Sequence, residues 1–339
     1  LQTYFNIKLE KILKKLGKKL MGWDEILTPS TPTTAVIHSW RGTHEGLKQS
    51  TLIEAAKKGY QTVLSAGYYI DRMLSVAHHY SVDPIGDAIL TKEERSKILG
   101  AETTMWSELV TPLTIDSRIW PRTAAIAERF WSAKKITDID NMRKRLKVIN
   151  FQLEELGITH IKNRAVILRN ISNHENTEAL KTLSKIYEPV KVYSRNKGGT
   201  EYKTFSPFTL FADACSADAE DAVSFNKEVD VFLKNKNENN LYQIQRHLKN
   251  WAINYSAFKE ITPNPIVNSL EPLSKNISLI SELLYASLQN KIITEKELAK
   301  LTTISKQLKE PCQDVELAIL DSLNELINFC TTNFLTKTK

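Results

Sequence analysis

Lys19-Leu20-Met21-Gly22-Trp23-Asp24-Glu25-Ile26 is a short apolar run that is followed by the breaker Thr28-Pro29-Ser30-Thr31-Pro32. It reads as a β-strand, and the segments on either side of it decide the fold. Before it, Phe5, Leu9, Ile12, Leu13 and Leu16 form the expected inward side of an amphipathic helix, with Lys8, Lys11, Lys14, Lys15 and Lys18 on the solvated side. After it, residues 35–40 make a second strand, 46–58 a helix stopped at Gly59, 61–66 a third strand and 98–105 a fourth. Thr91-Lys92-Glu93-Glu94 offers a capping box for a short helix before that last strand, and Pro121 suits the first turn of a helix carrying Ala124-Ala125-Ile126-Ala127. Strand and helix alternate as βα units, which predicts an α/β fold: strands 5 to 8, the C-terminal half of a (β/α)8 TIM barrel. A closed barrel has eight strands, so four more are expected before Leu1, in a chain cut from a longer protein.

Beyond Trp131 the pattern changes. Met142, Leu146, Ile149, Leu153 and Leu156 make one apolar stripe that ends at Gly157. Residues 165–168 read as a short strand and 196–207 as a loop carrying Gly198-Gly199. Leu241, Ile244, Leu248, Trp251, Tyr255 and Phe258 then recur at helical spacing, with residues 273–288, 295–308 and 315–329 as partner helices of a bundle. The expected organisation is residues 1–135 as the half barrel, 136–160 as a helix packing on it, 161–215 as a connecting segment and 216–339 as a helical bundle domain.

Composition bounds the function. Among 339 residues, 42% hydrophobic and 25% charged describe an ordinary globular chain. The formal charge of +7 comes from dispersed lysines, without the interleaved arginines and aromatics of a nucleic-acid groove, so no nucleic-acid partner is expected. No run approaches the roughly 20 apolar residues of a membrane span. Cys215, Cys312 and Cys330 are far apart and read as buried small residues, neither a disulfide framework nor a zinc site. His78-His79 with Asp83 lacks a third ligand at motif spacing, so no metal is expected, and the pair is read as a loop near the rim of a site.

The strand ends carry the chemistry. Trp23, Trp40 and Trp106 close three different strands. Barrel interiors favour branched aliphatics, whereas an indole offers a flat face to a sugar's CH groups and an N–H donor, so the three are read as a pocket that boxes a methyl-bearing group. Tyr69 with Asp71, and Trp106 with Glu108, are spaced to share a strand face, pairing an aromatic with a carboxylate able to select hydroxyls. Asp24 and Glu25 are neighbours on a strand and cannot both face one substrate, as a carboxylate pair flanking a glycosidic bond must. One of them reaches it only if the strand end kinks.

Gly22-Trp23-Asp24-Glu25-Ile26-Leu27, Ser39-Trp40-Arg41-Gly42, Tyr69-Ile70-Asp71, Gly100-Ala101-Glu102, Met105-Trp106-Ser107-Glu108, Trp120-Pro121-Arg122 and Ala127-Glu128-Arg129-Phe130-Trp131-Ser132 together resemble the catalytic domain of β-N-acetylhexosaminidases, glycoside hydrolase family 20. The resemblance runs from Leu1 to about Leu156. It implies a carbohydrate-metabolising, glycan- or chitin-degrading hydrolase that removes terminal β-linked N-acetylglucosamine or N-acetylgalactosamine by substrate-assisted retaining hydrolysis, with no cofactor, and a periplasmic or secreted location. It further implies that Trp23, Trp40 and Trp106 wall the acetamido pocket, that Tyr69 donates to the acetamido carbonyl, and that Asp71 and Glu108 bind the O4 and O6 hydroxyls. The family's acid lies in a His-x-Gly-Gly-Asp-Glu segment, and this chain has none: its only Gly-Gly is followed by Thr200-Glu201. The fragment alone is therefore expected to be inactive. Two other readings stay open: a carbohydrate-binding barrel without catalysis, and a helical tail that acts as an interaction module. Oligomeric state is left undetermined.

Overall fold

The computed structural model describes residues 1–42, 50–194, 210–289 and 291–335. The loop expected over 196–207, and the first turn of the helix expected from residue 46, lie outside them. The chain divides into two compact units, residues 1–107 with 118–156, and residues 108–117 with 157–339.

The first unit contains α1 (Gln2–Lys15), β1 (Met21–Trp23), β2 (Val36–Ser39), α2 (Thr51–Lys57), β3 (Gln61–Leu64), α3 (Val76–Ser81), α4 (Lys92–Ser96) and β4 (Ile98–Ala101). After α5 (Ile115–Ile119), it closes with α6 (Arg122–Trp131) and α7 (Ile139–Glu155). All four strands are parallel, in the order β1-β2-β3-β4. The Thr91 capping box on α4 forms as the residue spacing requires.

Side chains alternate along these strands. Ile37 and Leu64 point to the helix side, where Ile37 joins Leu20, Ala35, Ala55 and Tyr60, and Leu64 joins Leu52, Ile53 and Ile126. His38 and Val63 point to the other face and are only half-buried. Gly22 is required at close approach: a Cβ there would lie 2.9 Å from Ile26 Cδ1.

Helix α1 packs through a different side from the one expected. Leu9 and Leu13 meet the Leu20 cluster, and Glu10 is buried because Thr34 donates to its carboxylate at 2.6 Å. Phe5, Ile12 and Leu16 are 65%, 56% and 68% exposed. His78 and His79 lie on α3 rather than in a loop. His79 is fully buried and its Nδ1–H donates to the Gly67 carbonyl at 2.8 Å, so it is a core residue and has no place at a rim.

The second unit holds α8 (Lys162–Ile171), α9 (Glu178–Ser184), β5 (Tyr187–Pro189), α10 (Leu210–Ala214), α11 (Glu220–Asn235), α12 (Glu238–Ala252), α13 (Asn254–Phe258), α14 (Pro265–Leu288), α15 (Glu295–Lys309), β6 (Val315–Leu317) and α16 (Leu320–Leu335). Residues 165–168, expected as a strand, lie inside α8. The helix expected to run through Phe258 breaks at Ile253, where the Tyr255 N–H donates to Ser278 Oγ at 2.9 Å and Ser278 Oγ donates to the Trp251 carbonyl at 2.8 Å. One buried serine on α14 thus satisfies both sides of the break. Trp251 and Phe225 meet edge-on at 4.8 Å in this core. Among the described residues no helix is long and apolar enough to cross a membrane.

Candidate active site

Trp23 closes β1 directly opposite His38 of β2. Their rings stack at 3.8 Å between centroids with planes 13° apart, and Trp106 tilts against Trp23 at 5.9 Å. His38 Nε2 lies 2.5 Å from Ser65 Oγ and pairs with Glu102 Oε1, the same oxygen that accepts from Ser65 Oγ at 3.0 Å. Three adjacent strand ends are cross-linked on the half-buried face of the sheet.

Trp40 is held by another carboxylate: its indole N–H donates to Glu25 Oε1 at 3.1 Å. Asp24 is 3% exposed and accepts from Thr51 Oγ1 at 2.6 Å, from the Arg41 backbone N–H at 2.9 Å and from Arg41 Nε at 3.2 Å. It clamps the end of β1 to the end of β2 and the start of α2. The strand end does kink after Trp23, as a 3-10 turn over Asp24–Ile26, with Asp24 inward at this clamp and Glu25 toward Trp40.

Tyr69 is set by a turn. β3 ends at Leu64, and Gly67 takes φ +82°, where a side chain would be strained and its Cβ would also sit 2.9 Å from Val82. The chain then resumes pairing: Tyr69 bridges Thr104, and the Ile70 N–H donates to the Thr104 carbonyl at 3.0 Å. That register brings Tyr69 close to Trp106, whose indole N–H favours the charged form of the phenol. The Arg72 guanidinium lies 4.8 Å from the Tyr69 ring centre. Burial pushes the Tyr69 hydroxyl up to about 12, outweighing the Trp106 hydrogen bond and the Arg72 charge that act in the other direction. At neutral pH it is a protonated phenol, able to donate to a ligand.

Asp71 is buried on the 3-10 turn Ile70–Arg72, and Glu108 is exposed in the segment that belongs to the second unit. The strand alternation expected to pair Tyr69 with Asp71, and Trp106 with Glu108, does not operate. β3 and β4 end at Leu64 and Ala101, before those residues are reached. Trp23, Tyr69, Trp106 and the Trp40–Glu25 pair are gathered at the strand ends of one unit. His38, Ser65 and Glu102 were not singled out as site residues, because nothing in their local sequence joins residues 27 and 37 positions apart.

Residues 1–134 match the model of the glycosyl hydrolase family 20 catalytic domain. A chitobiase of Flavobacterium johnsoniae is 50% identical, with a TM-score of 0.89, over 96% of this chain and 50% of that one, so the likeness includes the helical unit. Among curated proteins, a mouse β-hexosaminidase subunit beta is 29% identical over 168 residues, covering 47% of this chain and 30% of the relative. A β-hexosaminidase of Porphyromonas gingivalis is 30% identical over 184 residues, covering 47% and 22%. The chain spans half of the chitobiase and less than a third of these curated relatives. Residues 1–134, which carry Trp23 and Trp40 at strand ends and Tyr69 and Trp106 just beyond them, are thus the part of the chain that resembles the glycosyl hydrolase family 20 catalytic domain.

Proposed function

We propose that this chain is part of an exo-β-N-acetylhexosaminidase that removes terminal, non-reducing β-linked N-acetylglucosamine or N-acetylgalactosamine from oligosaccharides. In this reading β1–β4 are strands 5 to 8 of a (β/α)8 barrel, residues 1–135 are the catalytic half barrel, and 216–339 are a helical domain. The sequential, wholly parallel strand order supports a singly wound barrel, since a doubly wound sheet reverses its order at a switch point. The exposed Phe5, Ile12 and Leu16 on α1 fit the same reading, as surface against which preceding βα units pack.

The proposed reaction is substrate-assisted. The acetamido carbonyl oxygen attacks the anomeric carbon, the bond to the leaving oxygen breaks, and a carboxylic acid contributed from outside these residues protonates that oxygen. Water then opens the cyclic intermediate with retention of configuration. Trp23, Trp40 and Trp106 wall the N-acetyl group, and Tyr69 donates to its carbonyl, holding the internal nucleophile in line. Asp71 and Glu108 take the O4 and O6 hydroxyls. The buried, protonated Tyr69 phenol in the same unit as the Trp23–Trp106 indole pair carries this reading, as a donor held near the proposed pocket.

In the full-length enzyme, Tyr69→Phe should lower kcat roughly a hundredfold while moving KM far less, the pattern of a donor lost from the transition state. An unchanged kcat would rule the role out. The chain alone, without the acid, is expected to hydrolyse no N-acetylhexosaminide.

A further inference from the structure

Trp23 is the wall residue whose support is most unusual. Its flat neighbour is an imidazole, His38, facing it at the same register position of the adjacent strand. An imidazole ring on a strand can rotate about its second side-chain torsion, so stacking alone would not hold its plane. Here one edge is tied down: Nε2 meets Glu102 Oε1 from the end of β4 and Ser65 Oγ from the end of β3, and Ser65 donates to the same Glu102 oxygen. The His38 side chain is 12% exposed and that of Glu102 37%, so the pair sits at the margin of the half-buried face. A carboxylate accepts only, so Nε2 must carry the proton that Glu102 receives.

We propose that His38 is a positioning residue: Glu102, with Ser65, locks the imidazole plane, and the locked imidazole holds the Trp23 indole at the angle required to wall the N-acetyl pocket. The inference rests on the reading of that pocket given above. Nothing in the role requires His38 or Glu102 to touch the sugar.

The test uses the full-length protein, with N-acetylglucosamine as the probe and two readouts, the near-ultraviolet circular dichroism of the tryptophans and the dissociation constant of the sugar. Glu102→Leu should alter the tryptophan band and weaken binding roughly tenfold, the scale of effect expected when a site group shifts by a fraction of an ångström. Glu102→Gln keeps a carbonyl acceptor and should restore most of both. His38→Ala should match or exceed Glu102→Leu. If Glu102→Leu leaves the band and the affinity unchanged, or if Glu102→Gln is as damaging as Glu102→Leu, the proposal is overturned. Should Glu102→Leu not fold, Ser65→Ala and Glu102→Gln, read against the parent band, decide the matter: no change in either with Ser65→Ala and a full loss with Glu102→Gln would contradict it. If the unaltered protein does not take up N-acetylglucosamine, the pocket reading fails, while the tryptophan band still reports whether Glu102 fixes the stack.

Discussion

The two faces of the four-stranded sheet are built to opposite ends. On the helix side Ile37, Leu52, Ile53 and Leu64 are at most 3% exposed and pack their side chains into apolar clusters, the composition of a stabilising core. On the other side Trp23, His38, Ser65, Glu102 and Trp106 join through rings, hydroxyls and carboxylates, and Trp106 is 44% exposed. Parallel sheets are ordinarily covered by aliphatic layers on both faces. On the proposed reading, the difference teaches that stability and recognition fall to alternate residues of the same strands, so that Ile37 and His38, neighbours in the chain, serve different ends.

The sharpest way to break that contrast is a pair of truncations. Leu64→Ala, which empties a fully packed site on the helix face, should cost about 2–5 kcal/mol in denaturant unfolding. Trp106→Ala, half in solvent, should cost less than about 1 kcal/mol but abolish N-acetylglucosamine binding. Equal losses of stability would contradict the division of labour.

A smaller effect is expected at the seam between the faces. Thr51→Val removes the hydroxyl that donates to the buried Asp24 and should cost about 1–3 kcal/mol, because the carboxylate is left short of a partner. If unfolding is unaffected, Asp24 is not the clamp described above.

The smallest effect is a pH dependence. Burial raises the Tyr69 hydroxyl from its ordinary value of 10.0 to about 12, so the native state holds this proton more tightly than the unfolded chain. The stability linked to it is fully present below pH 10 and is lost as the pH rises through about 12. Titrating the folding midpoint should reveal a steeper alkaline decline in the parent than in Tyr69→Phe. Superimposable alkaline limbs would remove the burial argument for Tyr69.

Much of this contrast is legible in the residues themselves. Trp23 and Trp40 at strand ends, Gly59 after α2 and the Thr91 capping box are local signals, decided within a few residues, and the structure follows them, whereas β4 stops at Ala101, short of Trp106. What escaped depends on long-range register. The His38–Ser65–Glu102 network exists only because β2, β3 and β4 align side by side, and no local pattern encodes that alignment. Alternation misled at Asp71 and Glu108 because the strands end before those residues, at Leu64 and Ala101. The same limit explains α8, where Ala165 to Leu168 is too short an apolar run to tell strand from helix. On α1 only Leu9 and Leu13 of the expected stripe meet the core, beside the buried Glu10.

The most direct measurement is the structure of the full-length protein with N-acetylglucosamine bound. The acetamido methyl is predicted to lie against Trp23 and Trp106, with the carbonyl oxygen within hydrogen-bonding distance of the Tyr69 hydroxyl. A sugar bound elsewhere, or one whose acetamido group points away from these three rings, would contradict the account.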